Sequence, residues 1–141
     1  MKTLKSMMAG IILLFAYATA NAVGTPAAAT KLTREDVVNK YIDAIAHGDI
    51  KGLDNVLDDS LQYNAERSGE VNQLHKDDLM TYLKSNPVDP TVTTFAVTVR
   101  EDDGSATVKV VFNYSTYTRT DMLTLDNAGE WMITKVVSTF S

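Results

Sequence analysis

The spacing of apolar and polar residues divides the chain near Pro90, with helical periodicity before it and strand periodicity after it. Thr33-Arg34-Glu35-Asp36 has the form of a capping box, in which a hydroxyl and a carboxylate satisfy helix-end amides reciprocally. Val37, Val38, Tyr41, Ile42 and Ile45 then recur on one face at helical spacing, and His47-Gly48 supplies a stop. Asp49 is placed to cap a second, short helix with Ile50, Leu53, Val56 and Leu57 inward. Leu61 to Ala65 alternates as a short strand, while Glu66 to Asn72 has no clear period. Lys76 to Ser85 reads as a third helix, with Leu79, Met80 and Leu83 inward, Asp77 and Asp78 near its positive end, and Pro87 forcing a stop. Helices first and strands afterwards predict an α+β fold, an antiparallel sheet covered on one face by about three helices.

Two hairpins follow Pro90, and both can be given a register. Asp103-Gly104 suits a two-residue type I′ turn, which sets Val99 opposite Val108, Val97 opposite Val110 and Phe95 opposite Phe112. Asn127-Ala128-Gly129 suits a three-residue loop, which sets Leu125 opposite Trp131, Leu123 opposite Ile133 and Asp121 opposite Lys135. A slip of one residue in either hairpin would send these side chains to the other face. The last strand is apolar on both sides, with Trp131, Ile133 and Val137 on one and Met132, Val136 and Phe140 on the other. Its outer face is therefore expected to meet a second copy of the chain.

Upstream of the first helix the pattern has a different meaning. Lys2 and Lys5, the apolar run Met7 to Tyr17, and Ala20-Asn21-Ala22 match the charged, apolar and small-residue regions of a secretory leader. The apolar run is short of the ~20 residues that span a bilayer. The sequence predicts a signal peptide over 1–22, a flexible tether over 23–31, and one domain over 32–141, working in the periplasm or outside the cell and off the membrane once cleaved. Loss of both leader lysines would leave 11 basic against 18 acidic residues and take the formal charge from −5 to −7. That balance disfavours nucleic acid, whose phosphates demand clustered Lys and Arg. With no cysteine in the chain, neither a disulfide nor a lipid-modified cleavage site can form.

Asp121 and Lys135, placed on the face of Leu123, Leu125, Trp131 and Ile133, are the leading charged pair. In a pocket the carboxylate could act as a general base and the ammonium could steer an anion. As a plain cross-strand pair they would contribute under ~1 kcal/mol, and mutual attraction would hold the carboxylate too acidic for a base. Tyr41, Tyr63, Tyr82 and Trp131, from different elements, could line a cavity for a flat, partly apolar ligand, or simply fill the core. His47 and His75 are isolated and stand at element boundaries, where solvation or capping accounts for them. No metal spacing, cofactor fingerprint or phosphate loop is present, and the acidic runs Asp58-Asp59 and Glu101-Asp102-Asp103 lack the spacing of a calcium loop.

Thr120-Asp121-Met122-Leu123-Thr124-Leu125, with Gly129-Glu130-Trp131-Met132-Ile133-Thr134-Lys135-Val136, resembles the closing hairpin of the "putative lumazine-binding" family of the nuclear-transport-factor-like superfamily. Val37 to Ala44, followed by Gly48-Asp49, is similar to the superfamily's opening helix and turn. The resemblance spans Leu32 to Phe140. It implies a cone, a strongly curved sheet wrapped around helices with a cavity between them, and frequent dimerisation through the sheet's outer face. It does not imply a reaction, since the superfamily includes dehydratases, isomerases, cyclases and domains that only bind or associate. Three functions follow as expectations: a ligand-binding module, an enzyme using a pocket carboxylate or histidine, and a dimerising domain with a filled cavity.

Overall fold

The computed structural model describes residues 31–141, so the predicted leader and nearly all of the tether lie outside the described residues. Helix α1 spans Arg34–His47 and helix α2 Lys76–Ser85. The strands are β1 (Leu57–Arg67), β2 (Glu70–Leu74), β3 (Thr93–Glu101), β4 (Ser105–Asn113), β5 (Thr118–Asn127) and β6 (Trp131–Phe140). They form one curved six-stranded sheet in the order β2-β1-β6-β5-β4-β3.

The capping box is present in both directions, with the Asp36 amide donating to Thr33 Oγ1 at 3.1 Å and the Thr33 amide donating to Asp36 Oδ2 at 2.9 Å. Gly48 ends α1 in the left-handed region at φ 71°. The helix buries Val37, Val38, Tyr41, Ala44 and Ile45 against the sheet's concave face, where they meet Val108, Val110, Phe112, Leu123, Leu125 and Ile133. Helix α2 adds Leu79 and Leu83.

Two helices form among the described residues, not three. Gly52 adopts φ 80°, which a continuing helix cannot pass, and only a 3₁₀ turn, Leu53–Asn55, remains. Asp49 instead accepts a hydrogen bond from the Lys51 amide at 3.1 Å. The apolar residues are nonetheless inward, with Leu53, Val56 and Leu57 buried. The unpatterned stretch after Ala65 is the β1–β2 hairpin, turned at Ser68 and Gly69, both at positive φ. The sheet is also mixed, not purely antiparallel, because β1 runs parallel to β6.

Each hairpin departs from its expected register through a bulge. In β3–β4 the turn is as expected, with Glu101 opposite Ala106 and Arg100 opposite Thr107, but Val99 is an extra residue that slips the ladder by one. Thr94, Ala96 and Thr98 then face the Phe112, Val110 and Val108 expected for Phe95, Val97 and Val99. Those three apolar residues turn outward and stand 55%, 47% and 56% exposed. Bulges favour edge strands, where one side of the ladder is unpaired, and a one-residue slip exchanges faces.

In β5–β6 the loop closes one residue later, with Asn127 opposite Trp131 and Leu125 opposite Ile133. This two-residue slip keeps Leu123, Leu125 and Ile133 in the core. Thr134 is then extra, its Oγ1 donating to Asp126 Oδ2 at 2.8 Å, and beyond it the faces exchange. Val136 becomes core opposite Leu123, Val137 moves to the outer face opposite Met122, and Ser138 stands opposite Asp121.

Candidate functional site

The bulge at Thr134 separates the predicted pair. Lys135 lies exposed opposite Thr124, whereas Asp121 is fully buried. The cation of Asp121 is Arg119, two residues earlier on the same face of β5, whose Nε donates to Asp121 Oδ1 at 2.9 Å. Tyr41 from α1 donates its hydroxyl to Asp121 Oδ2 at 2.5 Å, and Ser138 from β6 donates to Oδ1 at 2.6 Å. Arg119 Nη2 reaches Tyr63 OH of β1 at 2.6 Å, Ser138 Oγ at 3.3 Å and Tyr41 OH at 3.4 Å. Thus α1, β1, β5 and β6 each place a polar tip at one point inside the apolar core.

This cluster is held in a definite protonation state. Burial, followed by the nearby charge of Asp121, pushes the Tyr41 phenol well above its usual range. Burial also raises Tyr63, although the Arg119 charge pulls the other way. For Arg119 burial opposes the charge, but Asp121 and the two phenol oxygens outweigh it and leave the guanidinium more firmly protonated. Both tyrosines are therefore neutral at neutral pH, Tyr41 donating to Asp121 and Tyr63 accepting from Arg119 and Ser138.

Tyr41→Phe should cost about 1–3 kcal/mol near pH 7, because it leaves Asp121 Oδ2 without its donor. In the wild type, the unfolded phenol ionises as pH passes its usual value of about 10, while the folded one stays protonated. Stability is therefore level below about pH 10 and falls above it. Urea midpoints measured from about pH 8 to pH 11 should fall less steeply for the variant than for the wild type, and parallel profiles would contradict this account.

The cluster is roofed on one side only. Two adjoining cavities of about 260 and 280 Å³ open between the sheet, α2 and the loops after α2 and β4, sharing Arg67, Tyr82, Arg119 and Phe140. Tyr63 and Leu74 extend one, and Asn86, Asp89, Tyr114 and Tyr117 the other. A shallower hollow of about 410 Å³ lies outside them over Arg67, Ser68, Tyr117 and Phe140, and it reaches neither Arg119 nor Tyr82. The Tyr114 and Tyr117 rings stack at 4.6 Å and Arg67 lies 4.4 Å over Phe140, so the mouth is walled largely by aromatic faces.

Arg119 is where cluster and mouth meet. Its Nε and Nη2 are turned inward, whereas Nη1 has no hydrogen-bond partner among the described residues. Nor is Nη1 sealed off, since the one buried, unpartnered side-chain polar atom among the described residues is Glu101 Oε1. Asp121 does not line either cavity, because it stands behind Arg119.

Of the residues singled out in the sequence, Tyr41, Tyr63 and Asp121 come together, and Tyr82 stands at the mouth, 45% exposed. Trp131 does not join them; it lies at the other end of β6, with Arg34 5.9 Å over its ring. Lys135 is excluded by the bulge, and His47 and His75 are both exposed. His75 precedes α2, its amide donating to Asp78 Oδ2 at 3.1 Å. Among the described residues no group of three or more His, Asp and Glu could hold a metal. Sequence reasoning missed Arg119, Ser138, Arg67 and Phe140. Arg119 carried a usable signal, a cation at i−2 on the strand face of Asp121.

A curved sheet closed over α1, with a polar cluster under one mouth, defines a domain of the nuclear-transport-factor-2-like (NTF2-like) class. The chain belongs to the family described as "Putative lumazine-binding", whose model matches residues 29–140. Solved structures share the fold at low identity. An NTF2-like protein of unknown function from Methylobacillus flagellatus has a TM-score of 0.65 at 17% identity, over 79% of this chain and 96% of that one. One from Silicibacter pomeroyi has a TM-score of 0.62 at 18% identity, over 76% and 92%. A ketosteroid isomerase-like protein from Erwinia carotovora atroseptica has a TM-score of 0.58 at 15% identity, over 75% and 92%. No curated protein sequence matches the chain.

Proposed function

We propose that this domain is an exported binding module that takes a small, flat, partly apolar molecule into the mouth bounded by Tyr82, Phe140 and Arg119. One observation carries the reading: Arg119 is fixed by four buried partners, borders both cavities, and has an Nη1 without a hydrogen-bond partner among the described residues. A donor held this way is preorganised for an acceptor on a ligand, and the aromatic walls suit a flat ring. The family description, which names a lumazine, agrees with a ligand of that shape. An isomerase-like reading has less support here. A general base must reach the proton it removes, and Asp121 lies behind Arg119 with three donors on its two oxygens.

A second reading concerns assembly. Phe95, Val97 and Val99 form an exposed apolar row on the sheet's outer face, beside Val111. Such a row favours pairing of two copies through that face.

Native mass spectrometry of the protein recovered from the periplasm or medium of its own host tests these readings together. The expected species starts at Val23, carries a non-covalent small molecule and forms a dimer. Tyr82→Ala, at an exposed position, should abolish retention of the small molecule without unfolding the chain. A bare chain in both proteins would sink the binding reading, an uncleaved one export, and a monomer the pairing.

A further inference from the structure

The mouth also bears on the charge of its ligand. Phe140 faces two cations, the Arg67 guanidinium 4.4 Å from its ring centre and that of Arg119 at 5.7 Å. The charge of Arg119 is balanced from behind by Asp121. Arg67 has no ion-pair or hydrogen-bonding side-chain partner among the described residues, and it borders both cavities. Asp89, the acid in the mouth, is turned to its own loop, where Oδ1 accepts from the Thr91 amide at 2.9 Å and from Thr91 Oγ1 at 2.7 Å. A chain of net charge −5 thus concentrates two guanidinium groups at this aromatic-walled opening.

We infer that the ligand is a planar anion, an aromatic carboxylate or a similarly delocalised acid, whose charged end bridges Arg119 Nη1 and Arg67 while its ring lies against the aromatic wall. The inference rests on the mouth being a ligand site, and adds the class of ligand. A neutral carbonyl would satisfy Nη1 but leave Arg67 unpaired. A carboxylate answers both, through charge-assisted hydrogen bonds stronger than those to a neutral acceptor and in fork geometry that guanidinium groups favour. Arg67 is exposed and can leave the Phe140 face to meet the anion at little cost to the fold. The aromatic contact then passes from the cation to the ligand ring.

Isothermal titration of the full chain with two probes of one shape, naphthalene-2-carboxylate and naphthalene-2-carboxamide, tests this. The carboxylate should bind at least about tenfold more tightly at low salt, and its advantage should shrink as ionic strength rises. Arg67→Gln, which should keep the wild-type melting temperature, should weaken the carboxylate about three- to fivefold and leave the carboxamide unchanged. Equal affinities, or a carboxylate indifferent to Arg67→Gln, would overturn the anionic class while leaving the binding site in place. If neither probe binds, or if Tyr82→Ala binds both as the wild type does, the mouth is not the site and both readings fall.

Discussion

Asp121→Asn is expected to destabilise the protein by about 3–5 kcal/mol, because the amide leaves the Arg119 guanidinium buried without a counter-charge. Domains of this size are stable by about 5–15 kcal/mol, so the variant should sit near the edge of folding. Arg119→Met should cost a similar amount for the converse reason. The double replacement Arg119→Met with Asp121→Leu should recover most of the loss, since removing both charges also removes the desolvation that opposed them. What it cannot recover is the Tyr41 hydroxyl, left without its acceptor at a cost of about 1–3 kcal/mol. Urea unfolding of the wild type, Arg119→Met, Asp121→Leu and the double variant measures the coupling. Strictly additive losses would show that the two residues do not act as a pair. The folded double variant should also fail to bind ligand, because it recovers stability but lacks the Arg119 donor.

Phe112→Ala should cost about 3–5 kcal/mol, the range for removing a fully buried aromatic ring. Phe112 stands on β4 opposite Arg119 on one side and Thr94 on the other, with its ring 5.6 Å from the guanidinium. Removing it empties the space that keeps water from the ionic cluster as well as part of the core. Phe112→Leu, which conserves most of the volume, should cost under about 1.5 kcal/mol. Denaturant midpoints with unchanged slopes are the expected readout. Should the two variants be equally stable, the packing around Arg119 would have to be looser than the burial of Phe112 implies.

The elements were largely legible because they are specified by neighbours in the chain. Thr33 to Asp36 can be read as a helix start because the capping box closes within one turn, and Gly48 as its stop because only glycine takes that φ without strain. The period of Val37, Val38, Tyr41 and Ile45 points one face inward whatever that face meets. The second helix was overread for a local reason, since the apolar spacing of Leu53, Val56 and Leu57 also suits a 3₁₀ turn running into a strand. Gly52 was the residue that decided between them.

The site was legible only in part, and the reason is the bulges. Alternation along β5 determines that Asp121 shares a face with Leu123 and Leu125, and the structure keeps it there. Which residue stands opposite depends on β6, and Thr134 changes that by one, which exchanges Lys135 for the sequence Val136 and Ser138. No pattern within β6 announces the extra residue, because Thr134 is held by Thr124 and Asp126 across the ladder. The same holds at Val99, where a bulge takes Phe95, Val97 and Val99 away from their expected partners and leaves them exposed.

By itself, then, the sequence determined the α+β class, both helices that formed, the Asp103-Gly104 turn and the inward face of β5, all properties of short stretches of chain. It also contained Tyr41, Tyr63 and Asp121 as candidates, without saying what would join them. Only the tertiary structure decided that Arg119 and Ser138, not Lys135, complete the cluster, and that Arg67 and Phe140 meet Tyr82 at its mouth. Those contacts join residues far apart in the chain, and they depend on strand register and sheet curvature, which are set by packing across the sheet.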